Sequence, residues 1–284
     1  MSTPPQSPLI APETLQAQDD HHRLLVLDLR SRQSYESGHI PGSVHSDYET
    51  DGWRVHADGG LGMLPSSQQL SELFGRLGLD RGDHIVIVTA GLNASDLAAA
   101  ARVYWTLKMV GHPRLAILDG GFRAWSMDPS RPVESGPGQT RPATSYPVLI
   151  NDALRSTLDA TASALRQGSA TFIDARSAAQ LNGREKAGSV KTAGHLPGAQ
   201  LFDYALNLDP DTMCILPKEV LAQRFSAVGE EPLINYCNTG HTAALNWFVL
   251  SEVLGRPNVS LFDGSMSQWS QDPERPVVTG PAKG

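Results

Sequence analysis

Cysteine is nearly absent from this chain: 284 residues hold two, Cys214 and Cys237. Two thiols do not build a disulfide framework, and a reducing cytoplasm is the expected compartment. Cations are scarcer than anions, 23 Lys and Arg against 30 Asp and Glu, for a net charge of −7. That balance speaks against a general nucleic-acid or membrane-surface binder, and any pull on an anionic substrate has to be local. No apolar run reaches the length of a membrane span. The opening residues, "MSTPPQSPLIAPETLQAQ", lack a basic segment followed by an apolar core, so no secretory signal is read there. No His and Cys spacing reads as a zinc site and no glycine-rich stretch suffices for a nucleotide motif, so neither metal nor cofactor is expected.

What the chain does contain is itself, twice. "LLVLDLRSRQSYESGHIPGSVHSDY" in the first half matches "TFIDARSAAQLNGREKAGSVKTAGHLPGAQLFDY" in the second. Each runs apolar strand, Asp, a spacer, Arg, then Gly-His-aliphatic-Pro-Gly and a patch ending in Asp-Tyr. Later, "GHPRLAILDGGFRAWSMDPSRPVESGP" matches "GRPNVSLFDGSMSQWSQDPERPVVTGP", with Asp119 and Asp263 lying 144 residues apart. That spacing is far above solenoid periods and implies two tandem domains. The boundaries read as 1–135 for the first domain, 136–155 for a linker and 156–284 for the second. The stretch from Val133 to Val148 is rich in Pro, Gly, Ser and Thr, as a linker should be.

Short apolar strands alternate with amphipathic helices in both copies. The expected fold is therefore α/β, two tandem domains, each a central parallel sheet with helices on both faces. Ligands on such sheets bind beyond the strand carboxyl ends. Cys237 is at one of them. "PLINYCNTGHTAALNWFVLSEVLG" reads as a strand ending at the cysteine, a tight loop, and a helix from Thr242 to Leu254 that Gly255 and Pro257 terminate. Unpaired N–H groups at a helix start favour a thiolate there. The first copy has no cysteine, and Thr89 or Ala90 stands at the equivalent place. A lone cysteine is more often a buried structural residue, but its restriction to one copy favours a functional Cys237.

With these residues in view, nearly the whole chain resembles the two-domain rhodanese-like sulfurtransferases, the group of thiosulfate and 3-mercaptopyruvate sulfurtransferases. The motifs that carry the resemblance are "GHIPG" (Gly38 to Gly42), "GHLPG" (Gly194 to Gly198), "DLR", "DAR", "LFDGSMSQW" and the cysteine loop of the second copy. The resemblance implies a Cys237 persulfide that takes sulfane sulfur from a small anionic donor and passes it to cyanide or a thiol. It implies a catalytic loop of Asn238, Thr239, Gly240, His241 and Thr242 around that sulfur. Gly240 suits an unusual backbone geometry in the loop, and Thr239 offers a hydroxyl to the donor. The arginine that the family sets after the "DAR" stretch aligns with Gln180, leaving Arg184 and Lys186 as the expected donor-binding cations. His39 matches a family histidine that acts on the donor, although His195 occupies the same place in the other copy and suggests a turn-holding role.

The neutral residues after Cys237 suit 3-mercaptopyruvate at least as well as the dianion thiosulfate. A phosphatase on a related fold is disfavoured, because Ala243 stands where an anion-clamping arginine would be needed. The alternative is a non-catalytic rhodanese-like sulfur carrier or regulatory binding module. Partners are expected to be small molecules, with no nucleic acid, no membrane and a monomeric chain. Asp28, Asp174, Asp119 and Asp263 read as strand-end anchors. The polar insertion Ser46 to Pro65 reads as a surface loop, and Cys214 as a bystander.

Overall fold

A computed structural model describes residues 7–18 and 23–281. Its strands, in chain order, are β1 (Leu9–Ile10), β2 (Leu24–Asp28), β3 (Val44–His45), β4 (Val55–Ala57), β5 (Gly60–Met63), β6 (His84–Val88), β7 (Leu115–Leu118), β8 (Thr171–Asp174), β9 (Gln200–Leu201), β10 (Leu233–Tyr236) and β11 (Val259–Leu261). The first unit holds a sheet of order β1-β7-β6-β2-β3 and the second a sheet of order β11-β10-β8-β9. Every pair in both sheets is parallel. β6 and β10 are buried along their whole length, which is why both are mostly apolar rather than alternating, with His84 and Asn235 as their buried polar members.

Local signals set the helices. Ser66 and Gln69 form a capping box at the start of helix Ser67–Arg76, and Asn93 and Asp96 another at helix Ala94–Met109. The latter helix is buried almost all round, so its hydrophobic pattern shows little amphipathicity. The helix expected from Thr242 to Leu254 is α-helical only over Ala243–Phe248 and continues as a π-helix over Val249–Val253. The Leu254 N–H reaches back five residues to the Val249 carbonyl at 2.9 Å. Among the described residues no helix is long and apolar enough to cross a membrane.

In each unit one Asp-x-Arg pair ties the sheet to the Gly-His-x-Pro-Gly turn. In the first, the Arg30 guanidinium donates to both Asp28 carboxylate oxygens and, at 2.7 Å, to the Gly38 carbonyl. In the second, Arg176 donates to Asp174 at 2.6 and 2.9 Å and to the Gly194 carbonyl at 2.9 Å. Both pairs are buried, so each charge is matched and hydrogen-bonded where water cannot help.

The compact units are not two contiguous halves. Of the described residues, one comprises those up to Trp53, Pro65–Ile150 and Leu208–Ile215; the other comprises Arg54–Leu64, Asn151–Asn207 and those from Leu216. The antiparallel hairpin β4–β5, encoded in the first copy, thus packs with the second unit. The insertion Ser46 to Pro65 is accordingly not the surface loop expected of its polar composition. Trp53 is fully buried in the first unit, packs on Phe74 and donates its indole N–H to Ser46 Oγ at 2.9 Å. The two strand-end aspartates hold the exchanged segments. Within the first unit Asp119 accepts the Ile215 N–H at 2.9 Å, and within the second Asp263 accepts the Leu64 N–H at 2.7 Å.

Candidate active site

Cys237 follows β10 directly and is 2% exposed. Three hydrogen bonds from one later segment set its backbone and that of Asn238. Its N–H donates to Ser265 Oγ at 3.0 Å. Its carbonyl accepts from the Met266 N–H at 3.1 Å, and the Asn238 carbonyl accepts from the Ser267 N–H at 2.8 Å. Ser265 also donates to the Phe262 carbonyl at 2.8 Å and is fully buried. It holds this position with φ +48°, a backbone region that side-chain-bearing residues rarely adopt. The first unit has Gly121 there, with φ +62°.

These tethers also settle which residue replaces the cysteine in the first unit. There the Phe122 N–H bonds the Thr89 carbonyl at 2.8 Å and the Arg123 N–H bonds the Ala90 carbonyl at 3.0 Å. Strand register agrees, since Val88 pairs with Asp28 as Tyr236 pairs with Asp174. Thr89, not Ala90, is the counterpart of Cys237. Its hydroxyl is buried without a hydrogen-bond partner among the described residues.

The rest of the loop lies under the hairpin β4–β5. Gly240 has φ +70°, so the loop turns where glycine is cheapest. The Asn238 amide donates to Gln180 Oε1 at 3.3 Å, which seats Gln180 against the loop. Thr239, His241 and Thr242 are half-buried. The hairpin backbone passes so close that a Cβ built on Gly62 would lie 1.9 Å from the Thr239 carbonyl oxygen. Gln268 donates to the Asp58 carbonyl at 3.0 Å, and Ser267 Oγ accepts the Leu61 N–H at 3.2 Å, pinning the hairpin to the same segment that tethers Cys237.

The expected donor-binding groups are each found with partners of their own. Arg184 is exposed, its N–H bonded to the Ala179 carbonyl. Lys186 turns its ammonium to the Val190 carbonyl at 2.6 Å. His39 is 1% exposed, stacks on Tyr35 at 3.9 Å between ring centroids and bonds the Tyr35 carbonyl through Nδ1 at 2.9 Å. His195 does the equivalent in the second unit, bonding the Leu181 carbonyl at 2.8 Å. Both histidines also exchange backbone bonds with a later strand-like segment, at Glu134 and Val278. His39 is thus held in its turn as His195 is in the other.

Two residues near the sulfur escape the motif reading. Ser265 is one; its only sequence signal is Ser where the other copy has Gly121. Tyr204 is the other. Its N–H bonds the Ala175 carbonyl beyond the end of β8, the strand beside β10. Burial raises the Tyr204 phenol above its usual pKa, with further upward contributions from Asp203 and from Cys237, so the phenol lies within electrostatic reach of the thiol. Cys214 is half-buried in the first unit, and its thiol is likewise raised, by burial first and by Asp119 second.

The rhodanese-like domain model matches residues 11–128 and 157–272. A probable 3-mercaptopyruvate sulfurtransferase of Pseudomonas aeruginosa is 34% identical, over 96% of this chain and 98% of its own. A thiosulfate sulfurtransferase of Azotobacter vinelandii is 29% identical over 95% and 96% of the two chains. Among solved structures, the Tum1 protein of Saccharomyces cerevisiae superposes with a TM-score of 0.80 at 23% identity, over 96% and 98% of the chains. The anaerobic ergothioneine biosynthesis enzyme of Chlorobium limicola superposes at 0.83 with 20% identity, over 96% of this chain and 70% of its own. These structural likenesses bear on the fold.

Proposed function

The chain belongs to the rhodanese-like domain family, and from that premise we propose that Cys237 carries sulfane sulfur between a small anionic donor and a thiophilic acceptor. Relatives that match it over nearly its whole length are thiosulfate and 3-mercaptopyruvate sulfurtransferases, and the chain is an enzyme of that sulfurtransferase type. The observation that carries the assignment to Cys237 is the contrast between repeats. At the same strand end, one unit has Thr89 and the other a cysteine whose backbone is fixed on both sides.

In the first step the Cys237 thiolate attacks the donor's outer sulfur. The bond joining that sulfur to the rest of the donor breaks, and its electron pair leaves with sulfite or with the enolate of pyruvate, which then takes a proton. In the second step cyanide or a thiolate attacks the outer sulfur of the persulfide and Cys237 departs as thiolate. A sulfur that must attack and leave in turn works best with a pKa near ambient pH. Backbone N–H groups from Asn238 to Ala243 are suited to stabilising its charge, as anion nests do. Thr239 and His241 are the loop side chains we assign to hydrogen-bond a donor, with Arg184 and Lys186 as its carboxylate-binding cations. Lys186 would first have to exchange its Val190 carbonyl for the donor.

The loop carries no cation of its own from Asn238 to Thr242 apart from a protonated His241, which favours 3-mercaptopyruvate over thiosulfate as the donor. A cytoplasmic setting suits two free thiols. Intact-mass and peptide mass spectrometry after donor treatment test the assignment. One added sulfur is expected on the peptide containing Cys237; sulfur on Cys214 instead would refute it.

A further inference from the structure

The first unit contains a cavity of about 240 Å³ whose lining shares no residue with Cys237 or its loop. Its lining includes Arg32, Arg76, Arg141, His45 and Asp51. Three guanidiniums there arrive from three different elements: the first residue of helix Arg32–Ser37, the last residue of helix Ser67–Arg76, and the extended stretch after the last helix of the first copy. In a chain with a net charge of −7, three cations facing one carboxylate form a local inversion of sign.

The existing partners leave much of that charge available. Arg32 makes a 3.9 Å contact with Glu36, both side chains about half exposed, so the pair contributes little. Arg76 donates to the Asp51 backbone carbonyl at 3.2 Å, not to its carboxylate. The Asp51 carboxylate instead accepts from Ser46 Oγ at 2.9 Å and the Asp47 N–H at 3.1 Å. Arg141 is held by Asp83 at 2.7 and 3.2 Å, which fixes its plane. His45 donates through Nε2 to the Arg30 carbonyl at 2.8 Å, and its Nδ1 is buried with no partner.

We propose that this cavity in the cysteine-free unit binds a tetrahedral oxyanion of the phosphate or sulfate class, clamped by Arg32 and Arg76 against the fixed Arg141. Guanidinium forks match tetrahedral oxyanions through paired N–H donors. A hydrogen-bearing oxyanion such as hydrogen phosphate also has an O–H to offer the His45 Nδ1. The anion is either free or the terminal group of an ester, and the two sources share this chemistry.

The test is isothermal titration of the full chain with inorganic phosphate, with sulfate and with glycerol phosphate, each against chloride at equal ionic strength. Saturable binding is expected with wild type. Combined Arg32→Ala and Arg76→Ala should weaken it tenfold or more while sulfur transfer at Cys237 and the circular dichroism spectrum stay unchanged. Tighter binding of the ester than of free phosphate assigns the site to an esterified group, and the reverse to the free ion. Should the double alanine variant fold poorly, Arg32→Lys with Arg76→Lys keeps charge but loses the forks, and a several-fold weakening is expected. Affinity unchanged in either variant, or heats that chloride reproduces, overturns the proposal.

Discussion

The two central strands β6 and β10 end alike and then diverge. Past β6 come Thr89 and a tether segment built on Gly121; past β10 come Cys237 and the same segment built on Ser265. Both segments bond the strand-end carbonyls in the same register. The scaffold for a strand-end loop is therefore common to both repeats, and what sets the second apart is a nucleophile, a hydroxyl holding its N–H, and a hairpin lying on the loop. The difference teaches that a strand-end cysteine can be present in one copy and absent from the other without touching the fold, because the Asp-x-Arg pair and the Gly-His-x-Pro-Gly turn persist in both.

The comparison breaks most directly at the sulfur. Cys237→Ser is expected to abolish sulfur transfer, and Thr89→Cys is expected not to restore it in that background, since Gly121 supplies no hydroxyl. Cyanide-dependent thiocyanate formation by the double variant would show that position alone makes the site. Ser265→Gly converts the second tether into the first. The turn should survive, because glycine tolerates φ +48° better than serine does, but a buried N–H loses its acceptor. At about 1–3 kcal/mol for such a loss, kcat/KM should fall roughly tenfold to a hundredfold.

Gly62→Ala sharpens the role of the hairpin. Its methyl meets the Thr239 carbonyl, so the loop or the hairpin must shift, and a displaced catalytic loop should cost about tenfold or more in kcat. Wild-type turnover in that variant would mean that the hairpin only covers the loop. Arg184→Ala is expected to raise KM for 3-mercaptopyruvate about tenfold, as one charge-assisted contact would, with kcat little changed. Equal KM values, or thiosulfate consumed much faster than 3-mercaptopyruvate by the unmodified enzyme, would show that the neutral loop selects differently.

The smallest effect concerns stability and the position where the copies read His112 and Arg256. His112 is buried between Tyr146, whose hydroxyl lies 2.8 Å from Nδ1, and the Asp83 carbonyl, 3.1 Å from Nε2. Burial lowers its pKa to about 4 from the usual 6.5. The unfolded chain thus takes up a proton near pH 6.5 that the folded unit refuses until about pH 4. Stability contributed by the neutral ring is complete above 6.5 and is lost as pH falls between those values, by at most about 3 kcal/mol. Urea unfolding followed from pH 7 to 4 should show this slope in the first unit, and His112→Gln should flatten it. An equal slope in the variant would assign the acid sensitivity elsewhere.

The repeat, the parallel α/β class and the candidacy of Cys237 were determined by sequence alone. Strand, turn and helix signals are local, and a duplicated pattern displays them twice, so a cysteine present in one copy stands out. Gly240 at φ +70° and the Asp-x-Arg motif belong to the same kind of information, because each acts within a few residues of itself. Tertiary structure decided what lay across distance. The Cys237 N–H finds Ser265, 28 residues on, and the Leu64 N–H finds Asp263, 199 residues on. Neither pairing leaves a periodic trace in the chain. The burial of Trp53 and His39 was also hidden, since polar neighbours in sequence say nothing of the apolar surface that folding brings over them. Equating Thr89 with Cys237 required the hydrogen-bond register of two strand ends, because the loops that follow them align ambiguously when only residue types are compared.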